Sequence, residues 1–133
     1  MKSCVLDTNI VSFTLREAPE ALLYKEHLNQ SRVILCFQTV AELRYGAVWS
    51  MWGNKKRLEL ENFFKRQTIV SYSSDLADCW ALVMNEARLA GRRLESGDAW
   101  IAATALLLNI PLLTHDKDFD KTACPSINVI SFV

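Results

Sequence analysis

Histidine is scarce in this 133-residue chain: only His27 and His115 occur. No Ser-His-Asp or Cys-His arrangement stands out, so nucleophilic catalysis by a base-activated side chain is not favoured. Four cysteines, Cys4, Cys36, Cys79 and Cys124, are spaced widely and irregularly, without a C-x-x-C pair. That argues against a zinc site. Cys4 and Cys36 lie inside apolar runs and read as small buried hydrophobes. Net charge is also lacking, because 15 basic residues balance 15 acidic ones. A sequence-independent DNA coat would be strongly basic. An enzyme acting on nucleic acid remains compatible, since metal ions can balance a local cluster of acids. No apolar run reaches membrane-spanning length, so no membrane partner is expected. No leader-like stretch precedes Val5-Leu6-Asp7, and a cytoplasmic location is expected. No linker, internal repeat or low-complexity stretch interrupts the chain. A single domain over residues 1–133 is the expectation.

What is present is apolar and ordered by period. Half of the residues are hydrophobic, enough for a core without staples. Ser3–Leu6 reads as a strand stopped by Asp7-Thr8-Asn9, and Ile10–Leu15 as a short helix. Pro19 reads as the first turn of a helix through about Asn29. Arg32–Phe37 shows no alternation, as expected of a strand covered on both faces. A helix from Thr39 to Trp49 follows, then another over Lys55–Arg66. Thr68–Tyr72 is a third strand. Leu76, Trp80, Val83, Met84 and Ala87 then recur at helical spacing. The helix opened by Ser96-Gly97-Asp98 is apolar nearly all round and therefore reads as buried. Leu112–Thr114 and Asn128–Phe132 complete five strands. This alternation predicts an α/β fold, a three-layer α/β/α sandwich on a parallel sheet of four or five strands. Ligands of such sheets bind beyond the carboxyl ends of the strands, where strand order reverses.

Acids recur at that edge. Asp7 follows the first strand, and Glu42 falls in the first turn of the helix after the second. Asp98 begins the helix feeding the fourth strand, which Asp116 and Asp118 follow. Singly, each has an ordinary explanation. Thr39-x-x-Glu42 matches a capping box, Asp7 and Asp98 suit helix starts, and Asp116 suits a turn. Jointly, carboxylates converging on one edge repel one another and resist ionisation. A hard divalent cation, Mg²⁺ or Mn²⁺, relieves that penalty. It would also activate water toward a phosphodiester.

At these residues the chain resembles PIN-domain ribonucleases of the VapC toxin type. Val5-Leu6-Asp7-Thr8-Asn9 is similar to that family's first motif, and Thr39-Val40-Ala41-Glu42-Leu43-Arg44-Tyr45-Gly46 to its second. Ser96-Gly97-Asp98-Ala99-Trp100-Ile101-Ala102-Ala103 is similar to the third, and Thr114-His115-Asp116-Lys117-Asp118-Phe119 to the fourth. The resemblance implies a metal-dependent endoribonuclease with Asp7, Glu42, Asp98 and Asp116 as its acidic positions. Asp7 and Asp98 would be direct ligands of Mg²⁺ or Mn²⁺. Thr8, Asn9 and Asp118 would support them, with Asp116 and Asp118 able to exchange roles. It also implies an RNA substrate, a homodimer and a cognate antitoxin.

Three further features bear on partners and on rival functions. Arg92-Arg93, just before Asp98, is a candidate grip on RNA phosphates. Lys55-Lys56-Arg57 and Lys65-Arg66 read as solvated helix faces. Ala47–Trp52 is unusually apolar for a helix end, and is either core or a partner surface. Two rival functions are carried forward: a phosphotransfer or receiver-like signalling domain, and a catalytically inactive binding module of the same fold. The first fits poorly, because aspartyl-phosphate hydrolases need a second Asp where Asn9 stands, and receivers need an acidic pair.

Overall fold

The computed structural model describes residues 2–117, 119 and 123–133. Its centre is one five-stranded, all-parallel sheet. The strands are β1 (Lys2–Leu6), β2 (Ser31–Cys36), β3 (Thr68–Val70), β4 (Leu112–Leu113) and β5 (Val129–Ile130), in spatial order β3-β2-β1-β4-β5. The order reverses between β1 and β4, so the switch point lies there. Among the described residues, six α-helices connect them: α1 (Thr8–Leu15), α2 (Lys25–Asn29), α3 (Phe37–Trp49), α4 (Asn54–Lys65), α5 (Ser74–Leu89) and α6 (Ser96–Leu108).

Side chains alternate across a strand, and both faces are covered here. Val5, Ile34, Cys36, Leu112 and Val129 point into one core with Leu76, Val83, Ile101 and Ala102 of α5 and α6. Cys4, Leu6, Leu35 and Leu113 point into the other with Ile10, Val11, Val40, Leu60 and Phe64 of α1, α3 and α4. Double coverage explains the unalternated apolar run of β2. It gives the three layers expected from the sequence.

Several boundaries differ from expectation for local reasons. The helix expected from Pro19 begins as a 3-10 turn over Pro19–Tyr24 and becomes α-helical only at Lys25. Helix α3 begins at Phe37, capped by the Cys36 sulfur, which accepts from the Gln38 amide. Thr39-x-x-Glu42 is therefore not a capping box, and Glu42 lies in the second helical turn. Its carboxylate is free for tertiary contacts. Helix α5 is capped by Ser73, whose hydroxyl accepts from the Leu76 amide. Asn109, in the left-handed conformation at φ 53°, ends α6, a place where asparagine substitutes for glycine. Helix α6 buries Ala99, Ile101, Ala102, Ala103, Thr104 and Ala105, as its all-round apolar sequence required.

Candidate active site

The β1–β4 ladder runs one residue past β1, because the Asp7 amide donates to the Leu113 carbonyl at 2.8 Å. That bond fixes Asp7 at the switch point. Its side chain is buried and does two things. Oδ1 accepts from the Thr8 amide at 2.7 Å, capping α1, and Oδ2 accepts from the Thr114 hydroxyl at 2.7 Å. The ordinary reading of Asp7 as a cap thus holds alongside its place in the site. Thr114 in turn accepts from the Asp116 amide at 3.1 Å. Asn9 Oδ1 accepts from the His115 amide at 3.2 Å, a second tie between α1 and the chain leaving β4.

Glu42 reaches the same place from α3. Oε2 accepts from the Thr8 hydroxyl at 2.7 Å, and Oε1 from Gln38 Nε2 at 3.1 Å. Gly97 allows this approach. A Cβ built there would stand 2.8 Å from Gln38 Nε2 and 3.1 Å from Glu42 Oε1. Absence of a side chain at Gly97 lets the first turn of α6, carrying Asp98, lie against α3.

The electrostatics follow from that convergence. Burial pushes the Asp7 carboxyl up; hydrogen bonds from Thr114 and Thr8 oppose this, and the charges of Glu42 and Asp116 add to it. Asp98 is pushed from 3.8 up to about 7, first by burial, then by the charges of Asp7, Asp116, Glu42 and Glu95. Asp7 and Asp98 therefore feel the charges of acids drawn from distant parts of the chain, Asp116 lying 109 positions after Asp7. The donor set is all oxygen and rich in negative charge, which fits a hard divalent cation. Asp7, Glu42, Asp98 and Asp116 are the carboxyl groups such an ion would draw on. Among the described residues, no group of three or more His, Cys, Asp or Glu side chains stands placed to hold a metal ion. An ion that keeps several waters does not require one.

Other expected residues fall as follows. Asp118 lies outside the described residues. Arg92 and Arg93 flank a surface cavity lined also by Asn85, Arg88 and Leu94, and none of the four acids lines it. Thr114, Gln38 and Gly97 belong to the site's construction and were not singled out from sequence. A threonine just past a strand end among acids, and a glycine just before one, are the signals that could have found them.

Fold and site together define a doubly wound α/β domain with an acidic centre at its topological switch point. The PIN domain family model matches residues 4–124, and the chain belongs to that family. Ribonuclease VapC2 of Haemophilus influenzae is 29% identical over 122 residues, covering 91% of this chain and 92% of that protein. The tRNA(fMet)-specific endonuclease VapC of Shigella flexneri is 27% identical over 122 residues, with the same coverage of each. The crystal structure of DNA-bound VapBC from Salmonella typhimurium matches at a TM-score of 0.83 and 26% identity, covering 100% of both chains.

Proposed function

We propose that this chain is a Mg²⁺- or Mn²⁺-dependent endoribonuclease and the toxin of a toxin–antitoxin pair. The observation carrying the reading is the convergence of acids at one sheet edge, where the charges of Glu42 and Asp116 raise Asp7, and those of Asp7, Asp116 and Glu42 raise Asp98. The ribonuclease relatives and the toxin–antitoxin structural neighbours support it.

When bound, the cation supplies Lewis-acid polarisation of water and phosphodiester. The protein supplies placement. Asp7 and Asp98 are the proposed direct ligands, with Glu42 and Asp116 completing the acidic ring. Thr114 and Thr8 donate hydrogen bonds that orient the Asp7 and Glu42 carboxyl groups. Helices α1 and α6 present their amino ends, with partial positive charge, toward the phosphate. Arg92 and Arg93 are proposed phosphate contacts from the α5–α6 connection.

The partner calls belong to the same reading. Val48, Trp49 and Met51 are exposed, Trp49 at 77%, whereas Ala47 is buried and Trp52 packs against the α1–α3–α4 core. The exposed trio, with Tyr45 beside it, is the proposed surface for a second copy or the antitoxin. No helix among the described residues is long and apolar enough to cross a membrane. A cytoplasmic location fits an RNA substrate and four free cysteines.

The test is RNA cleavage by the purified protein, with Asp7→Asn and Asp98→Asn as variants. Both variants are expected to fold and to lose cleavage. EDTA should abolish activity, and Mg²⁺ or Mn²⁺ should restore it; full activity in chelator would refute the reading. One observation favours a second reading, a binding module of this fold without catalysis: among the described residues, no group of three or more His, Cys, Asp or Glu stands placed to hold a metal ion. Calorimetry decides, because that module would bind neither ion at millimolar concentration. The phosphotransfer alternative gains no support, since Asn9 is engaged by the His115 amide.

A further inference from the structure

The β4–β5 ladder ends in an unusual way. The Leu112 amide donates to Asn128 O and the Thr114 amide to Ile130 O. With Leu113 beside Ile130, parallel register sets the next rung between the Phe132 amide and Thr114 O. The Tyr24 hydroxyl occupies that rung instead. It accepts from the Phe132 amide at 3.0 Å and donates to the Thr114 carbonyl at 3.0 Å. Its remaining lone pair faces His115 Nδ1 at 2.7 Å. The single hydroxyl hydrogen goes to a carbonyl, which can only accept, so His115 donates as the Nδ1–H tautomer. Tyr24 is 0% exposed. Its ring meets His115 edge-on at 5.6 Å and Phe132 at 5.2 Å.

Thr114 is what this wedge moves. Its carbonyl is held by Tyr24, while its hydroxyl donates to Asp7 and accepts from the Asp116 amide. We propose that Tyr24 is a positioning residue for the carboxylate centre. Its hydroxyl, inserted in the last rung between β4 and β5, sets where Thr114 stands and thereby the aim of Asp7 and Asp116. The inference rests on reading that centre as a metal-dependent nuclease site, and it adds a residue 90 positions away in sequence from Thr114.

Tyr24→Phe keeps the ring and removes only the wedge. Supporting groups behind metal ligands change affinity or activity by roughly 10–100-fold. Tyr24→Phe, one step further back, is expected near the low end. Mn²⁺ affinity by calorimetry and kcat should each fall about tenfold, with KM for RNA unchanged. In metal-free protein, hydrogen exchange at the Asp116 amide should quicken while core amides of α6 do not change. In a Thr114→Val background, Tyr24→Phe should add less than about twofold, because both act through one side chain. His115→Phe, which removes one partner of the hydroxyl and keeps the packing, is the milder companion should Tyr24→Phe not fold; a fewfold loss of Mn²⁺ affinity is expected. Wild-type Mn²⁺ affinity and kcat in folded Tyr24→Phe, with only a lower Tm, would overturn the proposal. So would an undiminished Tyr24→Phe effect without the Thr114 hydroxyl, or wild-type Mn²⁺ affinity in His115→Phe. A wild-type protein that bound no Mn²⁺ and left RNA intact would instead overturn the nuclease reading, so the wild-type titration separates the two failures.

Discussion

Replacing Asp98 by asparagine should abolish cleavage and yet stabilise the metal-free protein. Asp98 rises from 3.8 to about 7 in the fold. The folded protein therefore keeps a proton that the unfolded chain gives up. The associated stability is fully present below pH 3.8 and is lost as pH climbs through about 7. At 1.36 kcal/mol per unit, the full loss would be about 4 kcal/mol. Asp98 is only half-buried, and solvent screening brings this to about 2 kcal/mol. Against it stands the favourable interaction of a carboxylate with the first turn of α6, about 0.5–1 kcal/mol, which asparagine forfeits. The net gain is about 1–1.5 kcal/mol, a Tm rise of roughly 4–5 °C for a chain of this length. The assay is thermal melting by circular dichroism in EDTA at pH 8 and pH 5. The variant should melt higher at pH 8, with roughly half of the advantage or less left at pH 5. Added Mg²⁺ should raise the wild-type Tm more than the variant's. A variant that melts at or below wild type at pH 8, or an advantage indifferent to pH, would refute the reasoning.

Gly97→Ala should cost little stability, since alanine is the better helix former by about 0.5–1 kcal/mol. It should nonetheless lower kcat tenfold or more, because the new methyl displaces Gln38 and Glu42; melting curves and cleavage rates measured together check this. Trp49→Ala should leave stability within about 0.5 kcal/mol of wild type, as for an exposed site, and weaken dimer or antitoxin binding, read by light scattering and calorimetry. Unchanged dimer mass and antitoxin affinity would remove that surface from consideration. Charge reversal at Arg92 and Arg93 should weaken RNA binding and flatten its salt dependence; an unaltered salt slope would place the phosphates elsewhere.

The sequence carried the fold because its signals were of the kind that periodicity registers. Double coverage wrote β2 as an unbroken apolar run, and burial wrote α6 as a helix with no polar face. The four acids were legible as a set because each falls beside a strand end or an early helical turn. Local grammar failed where a tertiary partner outcompeted it. Thr39-x-x-Glu42 has the letters of a capping box, but Phe37 extends α3 upstream and Glu42 spends its oxygens on Thr8 and Gln38. Tyr24 carries no local mark of its role. A tyrosine in a short 3-10 turn reads as core, and only the β4–β5 register shows that its hydroxyl replaces a backbone rung.

The acids cannot relax away from one another, and this follows from what holds each one. Asp7 is tied by its own amide to β4 and by both carboxylate oxygens to threonines. Glu42 is held by Thr8 and Gln38 on a helix anchored through Val40 and Ala47. Asp98 rides on the most deeply buried helix, whose Ala99, Ile101 and Ala102 lock it to the sheet. Each anchor lies in a core that would have to open before an acid could retreat, and opening a packed core costs several kcal/mol. Burial first, and repulsion after it, are therefore held as raised proton affinity at Asp7 and Asp98 instead of being released by movement. In the proposed nuclease, a site built this way would be preorganised for cation binding. The energy of rearranging it was already spent when the two cores closed on either side of the sheet.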